Sequence, residues 1–273
     1  KREEISELVI STIKDTNEKK KKPLVSMITT FYEAERFLAA FMDNITKQKM
    51  FNRCELIIVD ANSPGKERQI AEPYLQKYDN IKYIRLEEKL LPTPSLNIAL
   101  QNSEAKYLSF AFVDDIKRID CIEELFNFIE SCEDVSLVYG DVLVTNKENE
   151  TFEDNTANGV RVEHSIPTFS KENMIKCLPG PMPLWSREIH EECGFFNEKD
   201  CDYADDWDMW LRSVNFGFKF KKLNKTIGLY YSGGRSQSQK PEQRKEEAKI
   251  FFQYSHLFGD NFYKFKPYFQ QFL

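Results

Sequence analysis

Short apolar runs alternate with amphipathic stretches along the first 145 residues of the chain. The runs LVSMIT, CELIIV, IKYIRL, AKYLSFAF and VSLVYGDVLVT have the length and composition of buried strands. The stretches between them, such as AERFLAAFMDNI and CIEELFNFIESC, place apolar residues on one face of a helix. This alternation predicts an α/β fold, a three-layer αβα sandwich around a mixed, mostly parallel sheet.

The pattern is less regular after residue 145. A polar, proline-containing region leads to two predicted helices, SREIHEECGFF and ADDWDMWLRSVNFG, the second ended by Gly217. FKFKKLNKTIGLYY predicts one or two strands, and PEQRKEEAKIFFQYSHLF a terminal helix. We therefore expect an amphipathic helix and basic linker over 1–22, a main domain over 23–240 with halves 23–145 and 146–240, and a C-terminal helical extension over 241–273.

Composition and charge narrow the class of protein. Hydrophobic residues make up 41% of the 273 residues, enough for a large core, and the net charge of -6 argues against a nucleic-acid-binding surface. No apolar run has the roughly 18 residues needed to span a membrane. Six cysteines without C-x-x-C spacing predict reduced thiols and a cytoplasmic protein. The lysine run near the N-terminus leaves open a peripheral position at the inner face of a membrane, and the start at Lys1 suggests a piece of a larger multidomain chain.

Carboxylates follow two of the predicted strands. Asp60 ends LIIVD, and Asp114 and Asp115 end YLSFAFVDD. Because ligands bind beyond the carboxyl ends of strands in such sheets, we expect these side chains to point into one crevice. An acidic pair there suits Mg²⁺ or Mn²⁺ with a substrate phosphate. Alternatively, Asp114 and Asp115 form a solvent-exposed acidic turn, and the Asp60 side chain forms an Asx turn with the backbone that follows it.

The stretch YADDWDMWLR combines carboxylates with aromatic residues. Asp205 and Asp206 open the predicted helix, and Trp207 and Trp210 follow. Apolar walls raise the pKa of a carboxylate, which suits a general base, while the helix dipole alone would also favour acidic residues there. The three tryptophans, Trp185 included, fall within 26 positions, which indicates either a sugar-binding site or a local core.

Two loops are further candidates. CLPGPMPLW holds Gly180 between prolines, so its backbone could approach a ligand closely. YYSGGRSQS offers Arg235 as a phosphate clamp, but it lacks the spacing of a P-loop. We interpret His164, His190 and His256 as structural.

Taken in order, four stretches resemble the family 2 glycosyltransferases, inverting enzymes of the GT-A, Rossmann-like fold. They are LVSMITTFYEAERFL, CELIIVDANS, YLSFAFVDD and GFFNEKDCDYADDWDMWLR, and the resemblance runs from about Pro23 to about Ser238. It implies a nucleotide-binding half over 23–145 and an acceptor half over 146–240. It also implies transfer of a hexosyl or N-acetylhexosaminyl group from a nucleotide-diphosphate sugar, a UDP-sugar favoured, to a glycan or other hydroxyl acceptor.

The resemblance also implies roles for individual residues. Asp115 resembles the last Asp of the D-x-D metal signature, which holds Mn²⁺ or Mg²⁺, and Asp206 resembles the general base, with Asp205 beside it. The remaining implied contacts are to the donor, from Thr30, Tyr32, Asp60, Asn62, Asp114 and Arg235, and to the acceptor, from Gly180, Trp185 and Trp207.

The sequence departs from the family pattern in three places. Phe112 stands where the D-x-D-D run has its first Asp, VDANS replaces VDDGS, and no His precedes the Ser-rich loop. Such losses would fit a nucleotide- or carbohydrate-binding module that keeps the fold without turnover. A nucleotidyltransferase is a third hypothesis. Such an enzyme normally carries a Gly-rich G-x-G-x-R loop after the first strand, and TTFYEAER at that place does not have this pattern.

Overall fold

The computed structural model describes residues 22–157, 163–164, 167–233 and 241–273. Within these ranges one mixed sheet of nine strands forms the centre of the molecule, in the order β3-β2-β1-β4-β8-β6-β9-β5, with β7 beside β6. The strands are β1 (Val25–Phe31), β2 (Cys54–Asp60), β3 (Ile81–Arg85), β4 (Tyr107–Phe110), β5 (Ile116–Lys117), β6 (Leu137–Thr145), β7 (Glu163–His164), β8 (Leu184–Ser186) and β9 (Phe220–Tyr231).

The first four strands are parallel and are joined by helices. These helices are α1 (Glu35–Thr46), α2 (Glu67–Lys77) and α3 (Pro92–Gln101). Because β1 pairs in parallel with both β2 and β4, the carboxyl ends of all three strands lie at the same edge of the sheet. That edge is where the sequence places its candidate carboxylates.

Antiparallel pairs enter the sheet beyond β4. The short strand β8 runs antiparallel to both β4 and β6, while β9 runs parallel to β6 and antiparallel to β5. The helices of this part are α4 (Cys121–Glu130), α5 (Glu188–Cys193), α6 (Asp205–Phe216), α7 (Pro241–Gln253) and α8 (Asp260–Gln270). The predicted α/β fold with a mixed, mostly parallel sheet is confirmed.

Two hydrophobic layers cover the two faces of the sheet. Alternate residues of β2 point to opposite sides, so Ile57 belongs to one layer and Ile58 to the other. Helices α1 and α4 supply the second layer, and α3, α5, α6, α7 and α8 supply the first. The last two helices therefore share a core with the sheet. Within the described ranges, no helix is long and apolar enough to cross a membrane.

Candidate active site

A cleft of about 1420 Å³ opens at the carboxyl edge of β1 and β4. Segments that are distant in sequence line it together: the end of β1, the turn after β4, the loop around Gly180 and the start of α6. The sequence-predicted site residues that the structure brings together here are Thr30, Tyr32, Asp114, Asp115, Gly180, Asp205, Asp206 and Trp207.

In the acidic pair after β4, Asp115 is buried and Asp114 is half-buried, so the alternative of a solvent-exposed turn is wrong. Asp115 is 5% exposed, and its Oδ1 accepts a hydrogen bond of 3.1 Å from the backbone N–H of Tyr231 at the end of β9. Burial and the Asp114 charge raise the pKa of Asp115. Burial also raises the pKa of Asp114, while the Arg36 charge acts in the opposite direction.

Two desolvated carboxylates of this kind are suitable ligands for a hard divalent cation. Among the described residues no cluster of three or more His, Cys, Asp or Glu side chains could hold a metal ion. Sites that bind Mg²⁺ together with substrate phosphates use only one or two carboxylates, with waters and phosphates as the other ligands. The donor set at Asp114 and Asp115 therefore fits such an ion.

Cations and an aromatic ring line the cleft near the end of β1. The Lys89 ammonium lies 3.6 Å from the centre of the Tyr32 ring, a cation–π contact. Arg36, on α1, forms a 2.7 Å ion pair with Glu148. Neither Lys89 nor Arg36 was singled out from the sequence, since a lysine or arginine in a loop or first helical turn carries no distinguishing pattern.

Asp60 and Asn62 do not line the cleft, so the expectation that Asp60 points into the same crevice as Asp115 is wrong. The Asp60 carboxylate is fully buried; it accepts hydrogen bonds from the Ser63 backbone N–H at 2.7 Å, from Tyr83 at 2.7 Å and from Arg85 at 2.6 Å. The adjacent strand β3 supplies these last two donors. The Asn62 amide contacts the Glu87 carbonyl and Arg85.

The pair Asp205–Asp206 opens α6 and faces the cleft. Burial and the Asp206 charge raise the pKa of Asp205 to about 7. Burial also raises the pKa of Asp206, but the Cys177 thiol, 3.3 Å from its Oδ2, and the Trp207 backbone N–H, 2.7 Å from its Oδ1, favour the ionised form. Asp206 therefore ionises first, and Asp205 retains its proton longer. Asp205 Oδ2 is buried without a hydrogen-bond partner in the described part of the chain.

A carboxylate from another helix fixes the segment before α6. Glu246, on α7, accepts hydrogen bonds from the backbone N–H groups of Asp202, Tyr203 and Ala204, at 3.0, 2.9 and 3.2 Å. Ala204 is the N-cap residue and offers no capping side chain. Glu246 therefore satisfies the backbone N–H groups that lead into α6 and fixes this segment next to the two candidate catalytic carboxylates.

The three tryptophans have different positions. Trp207 borders the cleft but is only 5% exposed; its indole N–H donates to the Met174 carbonyl at 2.8 Å. Trp185 is fully buried and donates to His190 at 3.0 Å, so the prediction that it contacts the acceptor is wrong, because strand β8 directs it into the core. Trp210 is also fully buried.

Most of the other sequence predictions concern residues that do not line the described cleft. Arg235 lies outside the described residues, as do residues 1–21 of the N-terminal segment. His190 is structural, as expected: burial lowers its pKa to about 4, and it packs against Trp185. All six cysteines are unpaired.

The structure also adds cleft residues that the sequence did not indicate. Cys177 lies against Asp206, and Gln243 and Glu247 reach the cleft from α7. Cys177 could have been suspected only from its place next to Gly180 in the CLPGP loop. Nothing in the α7 sequence distinguishes these two polar residues from an ordinary solvated helix face.

Comparison with known proteins shows similarity to several glycosyltransferases. The chain is 23% identical to the uncharacterized glycosyltransferase MJ1057 of Methanocaldococcus jannaschii, over 77% of this chain and 71% of the relative. It is 26% identical to the putative glycosyltransferase EpsE of Bacillus subtilis, over 75% of this chain and 72% of the relative.

Solved structures share the fold. The crystal structure of S. aureus TarS 1-349 in complex with UDP-GlcNAc matches with a TM-score of 0.67 and 16% identity, over 87% of this chain and 71% of that one. The mannosyltransferase PcManGT from Pyrobaculum calidifontis in complex with GDP-Man and Mn²⁺ matches with a TM-score of 0.64 and 15% identity, over 86% and 65%. At these identities the likeness concerns the fold alone.

The family model for glycosyl transferase family 2 matches residues 26–194, more than half of the chain. That range covers β1, β2, β4 and the acidic pair after β4, and it ends before α6. Together with the relatives, this match identifies the enzyme class: the chain belongs to glycosyltransferase family 2.

Proposed function

We propose that the protein is an inverting, metal-dependent glycosyltransferase that moves a hexosyl or N-acetylhexosaminyl group from a nucleotide-diphosphate sugar, a UDP-sugar favoured, to a hydroxyl of a glycan. One observation carries the proposal: the pair Asp114–Asp115 and the pair Asp205–Asp206, each at least half-buried, line the same cleft. One pair suits the diphosphate end of a donor, and the other suits removal of a proton from an acceptor.

The chemistry assigned to the chain is a single displacement. Asp206 takes the proton of the acceptor hydroxyl as its oxygen forms a bond to the anomeric carbon. The bond from that carbon to the diphosphate oxygen breaks, and its electron pair leaves with the nucleoside diphosphate. Attack opposite to the leaving group inverts the anomeric configuration. A divalent cation held by Asp115, with Asp114 beside it, would supply Lewis-acid neutralisation of the diphosphate charge.

The preference for UDP and for a glycan acceptor has support from related proteins. A structural neighbour was solved with UDP-GlcNAc. A relative with 30% identity over 42% of this chain, GgaB of B. subtilis, is described as a minor teichoic acid biosynthesis protein. These descriptions favour a role in cell-surface polysaccharide synthesis.

Thermal denaturation with UDP, GDP, dTDP and CMP, each with Mn²⁺ and with EDTA, tests the proposal. A ligand at 100 times its Kd stabilises a protein by about 2.7 kcal/mol. We expect UDP to stabilise the protein only with Mn²⁺, and Asp115→Asn to abolish that effect. Asp154→Asn, in an exposed loop, is the matched control. No stabilisation by any nucleotide would contradict the proposal and favour a binding module without turnover.

A further inference from the structure

Helix α7 contributes two polar side chains to the cleft, although it lies outside the range that the family model matches. The Gln243 side-chain N–H donates to Glu247 Oε1 at 2.8 Å, one helical turn away. Gln243 Oε1 is buried and has no hydrogen-bond partner among the described residues. A buried amide oxygen without a donor is costly, so Gln243 is suited to accept a hydrogen bond from a donor group of a ligand in the cleft.

The charge around this amide is negative. Asp202, Asp205, Asp206 and Glu247 line the same cleft, and within the described ranges none of the four forms an ion pair with Lys, Arg or His. Burial raises the pKa of Glu247, while the hydrogen bond from Gln243 and the Arg244 charge lower it. The Asp206 charge raises this pKa as well, so the two carboxylates interact across the cleft.

The cationic side chains that line the described part of the cleft have other neighbours. Arg36 pairs with Glu148, and Lys89 lies over Tyr32 at the end of β1. Lys176 has an exposed side chain and does not contribute to the pKa shifts of Asp205, Asp206 or Glu247. Arg244, whose charge does act on Glu247, is exposed and lies over the Phe272 ring at 5.4 Å. A phosphate or carboxylate group next to Gln243 would therefore meet four carboxylates, with this arginine as the described cation nearby.

We propose that Gln243 and Glu247 form an acceptor subsite for an uncharged, polyhydroxylated group, a neutral sugar unit, beside Asp205 and Asp206. One hydroxyl donates to Gln243 Oε1, and a second donates to the Glu247 carboxylate. The hydrogen bond from the Gln243 N–H to Glu247 holds the two side chains beside each other. Hydroxyl groups supply the donors that this site lacks, and they carry no charge that the carboxylates would repel. This inference rests on the proposed function, since it names the class of acceptor that the transferase accepts.

A site built to hydrogen-bond hydroxyl groups selects strongly against ligands that leave its polar atoms unpaired. The subsite thus predicts a specificity: the sugar unit that receives the transferred group carries no phosphate or carboxylate in contact with α7. Negative charge elsewhere on a longer acceptor is compatible with the subsite.

Saturation-transfer NMR on the full chain tests this assignment. The probes are methyl β-D-glucopyranoside and methyl β-D-galactopyranoside, against glucose 6-phosphate and glycerol 3-phosphate, with Mg²⁺ and with or without UDP. Gln243→Ala and Glu247→Gln are compared with Gln253→Ala and Glu242→Gln, exposed positions on the same helix. We expect the wild type to bind a neutral glycoside better than either phosphorylated probe, and both subsite variants to weaken that binding about tenfold. UDP affinity should stay unchanged in all four variants.

The results separate the subsite from the proposed function. If UDP fails to bind but the glycoside binds through Gln243 and Glu247, the transferase proposal fails and the subsite stands. If UDP binds but neither neutral glycoside binds the wild type, the subsite is overturned. Equal loss in the exposed controls, or better binding of a phosphorylated probe, would overturn it as well.

Discussion

Neighbouring residues give the two carboxylates of α6 different surroundings. Asp205 and Asp206 are adjacent in sequence, yet the Cys177 thiol contacts only Asp206. Asp205 keeps an unpartnered oxygen and a pKa of about 7. The pair is thus arranged so that one member ionises while the other still holds a proton, a pattern common where groups exchange protons with substrates.

The first prediction concerns Asp206, the proposed general base. Asp206→Asn removes the proton acceptor but keeps the shape of the side chain, so kcat should fall by roughly 10²- to 10⁴-fold while the Kd of UDP is unchanged. Asp200→Asn, exposed in the preceding loop, should leave kcat unaffected. In the wild type, kcat should fall as the pH is lowered, with a midpoint above the ordinary aspartate value of about 3.9, because burial raises the pKa of Asp206. An Asp206→Asn enzyme with unchanged kcat would rule out this role.

The second prediction concerns stability. Burial raises the pKa of Asp205 to about 7, above its value of about 3.9 in an unfolded chain. The folded state therefore binds more protons between these values, so the free energy of unfolding should decrease as pH rises from about 4 to 7. Asp205→Asn should be more stable than wild type at pH 8, by on the order of 2 kcal/mol, and about equal at pH 4. Urea unfolding at both pH values measures this. The same pH dependence in wild type and variant would show that Asp205 titrates normally.

At the scale of elements, α7 supports the start of α6 without being near it in sequence. Helix α6 lacks a capping side chain, and Glu246 accepts the three N–H groups before it instead. The same helix lines the cleft with Gln243 and Glu247. One helix therefore both fixes the segment that leads into the candidate catalytic pair and completes the proposed acceptor side.

The third prediction follows from this support. Glu246→Gln removes the charge and replaces one acceptor oxygen by a donor, so we expect the free energy of unfolding to decrease by about 1 to 3 kcal/mol. Because Asp205 and Asp206 directly follow the affected segment, kcat should also fall, by about tenfold, with little change in UDP affinity. Glu242→Gln is the control on the exposed side of α7. Full stability and activity in Glu246→Gln would mean that α6 begins correctly without it.

At the scale of the whole molecule, the C-terminal helices continue the core of the sheet. Phe251, Phe258 and Phe269 are almost fully buried, and Trp207 at the cleft stacks on the last two, with ring centres 6.5 and 6.1 Å apart. The wall of the cleft therefore rests on helices from the far end of the chain. The boundary at residue 240 stays a prediction, but the packing across it is extensive.

The fourth prediction tests this continuity. Phe251 is fully buried and stacks on Phe269 with ring centres 4.2 Å apart. Phe251→Ala should lower the free energy of unfolding by about 3 to 5 kcal/mol, and unfolding should remain a single transition because the core is shared. Phe252→Ala, at a half-buried neighbour, should cost less. Loss of the α7 helical signal in a separate early transition would instead indicate an independent C-terminal unit.

The sequence by itself determined the order of the elements, and part of the site. Hydrophobic periodicity is local, so the longer strands and the helices up to α7 were predictable, as was the stop of α6 at Gly217, whose φ of 100° favours glycine. The short strands β5, β7 and β8 were not predicted, nor was α8 as a helix of its own. Asp115 and Asp206 were predictable as site residues because each follows or opens an element whose end faces the crevice. Their roles remain predictions that the experiments above test.

Only the tertiary structure decided which polar groups face the cleft. Asp60 was expected there, but donors from β3 satisfy its carboxylate in the interior. Trp185 was expected to contact a sugar, but strand β8 places it in the core. Glu246 showed no signal because its partners are more than 35 positions away, and Gln243 showed none because its side-chain oxygen has no partner among the described residues. Contacts between distant elements depend on how layers pack, and a local pattern of apolar and polar residues does not encode that packing.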